Sequence, residues 1–406
     1  MDKTFLTIAA TLMTAITANA ATPVHNRVLE YVPAPGQFVN TLPEWVDGDD
    51  ATTMAEKAYN YMVPDGSMIS LGGYGGYVVV GFDHTVVNVD EVRDLYIEGN
   101  AFQAAGSSTK GGSSEPGVVL VAYDINKNGL PDDNEWFEIR GSEYDNSSHE
   151  YICTYYRPAS DDEDIRWTDN KEEEGYVYKN QFHAQPYWPQ WLTDRETLEF
   201  RGIRLPDNGE DESGNGTYFV LSQFDYGYAD NAPNMADGNW NEDAKIDIDW
   251  AVDHQGNAVK MPGVDFVKIY TGVNQSNGWL GENSTEVCRV IDANVTREGS
   301  NPVLDESVQI DQTVLDAFLA KYADGNTSSV TDIADNDNLR IYLDKATGHV
   351  NFNATAGGHA LVYNQSGLLL YSKVFAPGYN SIDLSSYPCG LYLIRIDNKT
   401  TKILKQ

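Results

Sequence analysis

The sequence predicts an all-β protein: a main antiparallel β-sandwich or jelly-roll-like domain, then a small C-terminal Ig-like β-sandwich. Three observations predict it. Between Ser67 and Val295, apolar runs of four to seven residues recur between clusters of Gly, Asn, Asp and Pro. Helical spacing is confined to two short stretches, around Thr53 to Tyr61 and from Gln312 to Ala323, so the alternating series of a βαβ fold is missing. After a polar spacer, strand-like alternation resumes at Leu339-Arg340-Ile341-Tyr342-Leu343.

Residues 1–20 open with Lys3, continue through an apolar Phe5 to Met13, and close on Ala18-Asn19-Ala20. This is the pattern of a cleavable secretory signal peptide, too short and too Thr-rich for an anchor. Residues 21–65 read as an N-terminal arm, with Pro33-Ala34-Pro35-Gly36-Gln37, an acidic patch at Asp47-Gly48-Asp49-Asp50 and the first helix. Residues 66–323 form the main domain. Its expected strands run from Tyr77 to Phe82, Asp94 to Ile97, Val118 to Tyr123, Trp136 to Ile139, Tyr151 to Tyr156, Leu198 to Ile203, Tyr218 to Leu221, Ile246 to Val252 and Val264 to Tyr270. Gly72-Gly73-Tyr74-Gly75-Gly76 precedes a strand and lacks a following Lys-Ser/Thr, so it is a tight turn and not a phosphate loop. The second helix closes the body, residues 324–337 are a linker, and residues 338–406 are the final unit.

Formal net charge is -34, and residues 330–406 carry seven Lys/Arg against six Asp/Glu, so the excess acid lies upstream. Such a body lacks the basic footprint that nucleic acid requires. Cys153, Cys288 and Cys389 permit one disulfide at most, and no Cys/His spacing suggests zinc, so packing and metal must supply the stability.

The most informative motif lies between two expected strands. Across residues 124–135, Asp124, Asn126, Asn128, Asp132 and Glu135 put oxygen side chains at loop positions 1, 3, 5, 9 and 12, with Gly129 at 6 and the Leu130 carbonyl at 7. This spacing points hard oxygens at one centre, as a Ca²⁺ loop does. The flanks alternate as strands, and Pro131 lacks the N–H that paired EF-hands use, so an isolated structural ion on a β scaffold is expected. Just upstream, Ser113-Ser114-Glu115-Pro116-Gly117 is placed to offer Glu115 to a ligand or ion.

From Tyr176 to Trp191, flat side chains alternate with amides: Tyr176, Tyr178, His183, Tyr187, Trp188 and Trp191 among Asn180, Gln181, Gln185 and Gln190. Aromatic faces stack on sugar rings or planar macrocycles while amides read hydroxyls, which makes this stretch the expected ligand surface. A rival reading uses Asp247 and Asp249, set by the period of two on one strand face, with Asp253 nearby, as the carboxylates of a jelly-roll glycosidase. G-x-S-x-G and HExxH are absent. The expectation is a secreted or cell-surface, calcium-stabilised protein that captures a glycan or other nutrient without catalysis; a glycan-active hydrolase is the alternative.

Two resemblances sharpen that expectation. Residues 358–371, then Gly390-Leu391-Tyr392-Leu393-Ile394-Arg395-Ile396 and the basic end Lys399-Thr400-Thr401-Lys402-Ile403-Leu404-Lys405, resemble the C-terminal sorting domain (Por-type) of Bacteroidota type IX secretion substrates. That resemblance implies export, display on the outer surface and a secretion machinery as partner. In the body, Ser70-Leu71-Gly72-Gly73-Tyr74-Gly75-Gly76-Tyr77, Gly99-Asn100-Ala101-Phe102 and Gly263-Val264-Asp265-Phe266-Val267-Lys268-Ile269-Tyr270-Thr271 are similar to a family of Bacteroidota cell-surface proteins. Membership implies accompaniment of outer-membrane uptake systems, and so a cobamide as an alternative ligand.

Overall fold

A computed structural model describes residues 22–104, 110–296 and 302–323 and, within 341–405, seven strands with Leu384 and Tyr387. The expected signal peptide, the linker and Cys389 lie outside the described residues. Two compact units divide between residues 327 and 328.

In the first unit the principal elements are β1 (Arg27–Val32), α1 (Ala51–Met62), β2 (Tyr77–Val87), β3 (Gly117–Ala122), β4 (Trp136–Ile139), β5 (Ser148–Tyr156), β6 (Ile165–Asp169), β7 (Glu174–Val177), β8 (Thr197–Arg204), β9 (Ala251–Val252), β10 (Gly263–Thr271) and α2 (Gln312–Tyr322). A central antiparallel sheet has the order β1-β2-β10-β3-β4-β9, and a second sheet has the order β7-β6-β5-β8. The fold is an all-β sandwich, as the short apolar runs predict.

Side chains alternate across a strand, so the central strands, apolar at successive positions, feed two cores. Val119, Val121, Val267 and Ile269 enter one core with Met54, Ala58 and Met62 of α1 and Phe318 and Tyr322 of α2. Val118 and Tyr270 enter the other, where Tyr151, Tyr155 and Phe200 of the second sheet pack with Tyr74. Full burial of one such side chain contributes roughly 1.5–3 kcal/mol. Each helix begins at an aspartate: Asp50 accepts the Thr53 N–H at 2.9 Å and Asp311 accepts the Thr313 N–H at 2.7 Å.

Two expectations are corrected here. Residues 21–65 are no arm, because Arg27–Val32 pairs with β2 as the edge of the central sheet and Tyr31 is buried, donating its hydroxyl to the Ser70 carbonyl at 2.7 Å. The expected strand from Ile246 to Val252 is broken. Asp247 accepts the Asp249 N–H at 2.8 Å and starts a 3₁₀ turn, Ile248–Trp250, so Asp247 and Asp249 share no strand face.

The second unit is a small antiparallel β-sandwich. Ile341–Asp344, His349–Ala354 and Gly378–Asp383 form one sheet; Leu369–Phe375, Gly358–Asn364, Gly390–Ile396 and Lys399–Lys405 form the other. Val350, Phe352, Val362, Ile382 and Ile394 lie in its core.

Candidate functional site

The oxygen-rich loop leaves β3 and returns into β4, so adjacent strands of the central sheet hold its two ends. Lys127 and Gly129 take positive φ, 57° and 79°, which turns the chain sharply enough to fold the loop around its own side chains. Asp124 accepts the N–H groups of Asn128 at 3.0 Å and Gly129 at 2.8 Å, one on each carboxylate oxygen. Asn126 accepts the Asn128 N–H at 3.0 Å, and Asn128 accepts the Leu130 N–H at 2.7 Å. Glu135 closes the ring: Oε1 accepts the Ile125 N–H at 2.9 Å and Oε2 the Asp132 N–H at 3.0 Å. The side-chain amides of Asn126 and Asn128 both donate to Asp132 Oδ2.

Asp124, Asn126, Asn128, Asp132 and Glu135 are thus brought together, while the Leu130 side chain is exposed. Burial pushes the Glu135 carboxyl up to about 7; the two N–H bonds oppose this, and the charges of Asp132 and Asp124 add to it. A bound divalent cation would favour the ionised form.

The stretch from Tyr176 to Trp191 divides, and half of the expected ligand surface is corrected. Trp188 is 1% exposed, its indole N–H donating to the Leu192 carbonyl at 3.1 Å. Tyr187 is buried beside it and accepts the Asn180 N–H at 3.0 Å. Trp191 stacks on Tyr31 at 5.7 Å between centroids and bridges the two cores. Tyr187 and Trp188 have no face left for a ligand, and Trp191, partly buried, gives one face to Tyr31. His183 packs edge-on against Phe38 at 4.6 Å.

Tyr176 and Tyr178 remain exposed, Tyr178 by 53%, with their rings 5.9 Å apart. With Trp167 they border a hollow of about 130 Å³, also lined by Asn274, Gln275 and Asn283. The first aromatic set arrives on β6, β7 and the residue just beyond; the amides follow β10. A second hollow, of about 240 Å³, is lined by Gln37, Asn100, Glu115, Asn277 and Glu286 among others. Glu282 lines both hollows.

Of the residues around the second hollow, only Glu115 stands out in the sequence. Asp230, buried in the left-handed region at φ 48°, accepts the N–H groups of Asn100 at 2.7 Å, Ala101 at 2.9 Å and Glu286 at 3.0 Å. Glu286 accepts the Ser284 hydroxyl at 2.9 Å and the Asn100 amide at 3.1 Å; Glu115 accepts the Ser284 N–H at 3.0 Å. Burial, then repulsion from Glu286, pushes both Glu115 and Asp230 above the usual carboxylate range.

The carboxylates proposed for hydrolysis are otherwise engaged. Asp249 accepts from Lys260 Nζ at 2.6 Å and from the Asn88 amide at 2.8 Å, and Asp253 accepts the N–H groups of Gln255 and Asn257, each at 2.9 Å. Cys153 and Cys288 are free thiols. Among the described residues, no helix is long and apolar enough to cross a membrane. Compared with known protein families and with curated proteins, the chain finds no match.

Proposed function

We propose that this protein binds a carbohydrate outside the cell without transforming it, on a scaffold braced by Ca²⁺ in the Asp124 to Glu135 loop. The observation that carries the reading is the hollow itself, lined by Trp167, Tyr176 and Tyr178 together with Asn274, Gln275 and Asn283. Apolar C–H faces of a sugar stack on tyrosine and tryptophan, while amides both donate to and accept from its hydroxyls. Of the stretch from Tyr176 to Trp191, the first two aromatics stay in the ligand role, with the buried Tyr187 and Trp188 and the half-buried Trp191 serving the fold.

The loop supports the calcium part through the spacing of its Asp, Asn, Asn, Asp and Glu oxygens, a hard donor set. The C-terminal unit, ending in the basic strand Lys399–Lys405, is assigned to export and surface display, in line with the sorting domain it resembles. The test is calorimetric titration of the full chain with a glycan panel and a cobamide, in calcium and in chelator. A glycan is expected to bind without turnover and to lose at least tenfold in affinity in Tyr178→Ala. Cobamide binding with no glycan binding would overturn the carbohydrate assignment.

A further inference from the structure

Sequence and loop geometry point to one ion; a different set of residues points to a second. Glu115, Asp230 and Glu286 come from three separate segments, and one carboxylate oxygen from each lies within 4.8 Å of the other two. Among the described residues, none of the three forms an ion pair with a lysine, arginine or histidine, although the molecule pairs its surface acids with such groups at many places. Three like charges at this distance in a half-dry setting repel strongly, so the cluster needs protons or a cation.

A second, independent observation bears on the same hollow. Asn277, 1% exposed, has both side-chain polar atoms without a hydrogen-bond partner among the described residues, and Glu282, 8% exposed, has the same at Oε2. Both side chains line the hollow that Glu115 and Glu286 also line. Buried polar atoms left without partners are costly, and a hydrated ion in the hollow satisfies them through its water shell. Asp230 is held in place at the cluster by three N–H donors, those of Asn100, Ala101 and Glu286.

We propose that Glu115, Asp230 and Glu286 bind a Ca²⁺ ion at the wall of this hollow, with Glu282 and Asn277 holding its water. The donors are all oxygen, which selects a hard cation, and Ca–O bonds of about 2.3–2.6 Å place ligands up to roughly 5 Å apart across one ion. The site is distinct from the loop at Asp124 and does not depend on the carbohydrate reading. It fixes the segments around Asn100, Glu115, Asp230 and Ser284 to one another.

The experiment is calorimetric Ca²⁺ titration of the chelator-stripped full chain and three variants. Glu135→Gln, which removes a loop ligand, is expected to retain one equivalent of Ca²⁺. Glu286→Gln and Glu115→Gln, which keep shape and remove a charge, are each expected to weaken that remaining equivalent by at least tenfold when added to Glu135→Gln. Circular dichroism must first show all variants folded as the parent. If Glu135→Gln binds no Ca²⁺, or if neither cavity substitution changes its binding, the proposal is wrong. If Glu135→Gln leaves binding unchanged while Glu286→Gln abolishes it, the loop reading fails and the cavity site stands.

Discussion

The carboxylate of Asp265 accepts the backbone N–H of Asp124 at 2.7 Å, tying the first residue of the oxygen-rich loop to β10. Asp265 sits where the pairing of β10 with β2 shifts register, and its other oxygen accepts the Thr85 hydroxyl at 2.5 Å. One side chain therefore joins the loop to two strands. Asp265→Ala strands the Asp124 N–H and is expected to cost about 1–3 kcal/mol, read by urea unfolding in chelator. Asp265→Asn, which keeps an acceptor, should cost less; equal losses would contradict the assignment.

Calcium should raise the melting temperature. An ion bound only by the folded state adds about 4 kcal/mol at a free concentration a thousandfold above Kd. Calorimetric scans in calcium and in chelator should differ by several degrees, with the difference reduced in Glu135→Gln. Identical scans for the parent would remove the loop from the account.

Trp188 and Tyr178 should behave oppositely. Trp188→Ala opens a cavity in the second core and is expected to cost about 3–5 kcal/mol. Tyr178→Ala, at an exposed rim, should stay within about 0.5 kcal/mol and change ligand affinity instead. Denaturant unfolding of both variants checks the pair.

Gly72 occupies the left-handed region at φ 68°, and a Cβ there would stand 2.0 Å from the Ala34 carbonyl oxygen. Gly72→Ala is therefore expected to destabilise by more than about 1 kcal/mol. An unchanged unfolding midpoint would mean the turn is not as tight as described.

His25 supplies a pH dependence. Burial pushes its imidazole down from 6.5 to about 4; the backbone bond with Val290 opposes the shift and Arg289 adds to it. Because the folded pKa lies below the unfolded one, the unfolded chain takes up the proton first. The stability contributed by this group is complete at neutral pH and is lost as pH falls from about 6.5 towards 4, by up to about 3 kcal/mol at 1.36 kcal/mol per pH unit. His25→Gln cannot titrate there, so its stability should fall less across that window; parallel curves would rule His25 out.

Much of the sandwich is legible because its central strands are buried on both faces and read as Val-rich runs, Val118 to Val121 being the clearest. β1 is not. Arg27 and Glu30 give it charge, and Pro33 and Pro35 follow directly, so it reads as an arm until pairing with β2 is seen. Composition likewise cannot say which rings of an aromatic stretch turn inward. Trp188 does so because Leu192 offers its indole an acceptor, and Tyr178 does not. The acidic hollow is the least legible part. Glu115, Asp230 and Glu286 gather through topology, from segments far apart in the chain, with no local spacing that announces them.

Glu282 stands in the partition between the two hollows, with Oε1 fixed by the Gln37 N–H at 2.6 Å and Oε2 unengaged. Any change of rotamer or charge on that one carboxyl group is registered on both sides of the wall. Substitution of Glu282 therefore alters the lining of both hollows at once.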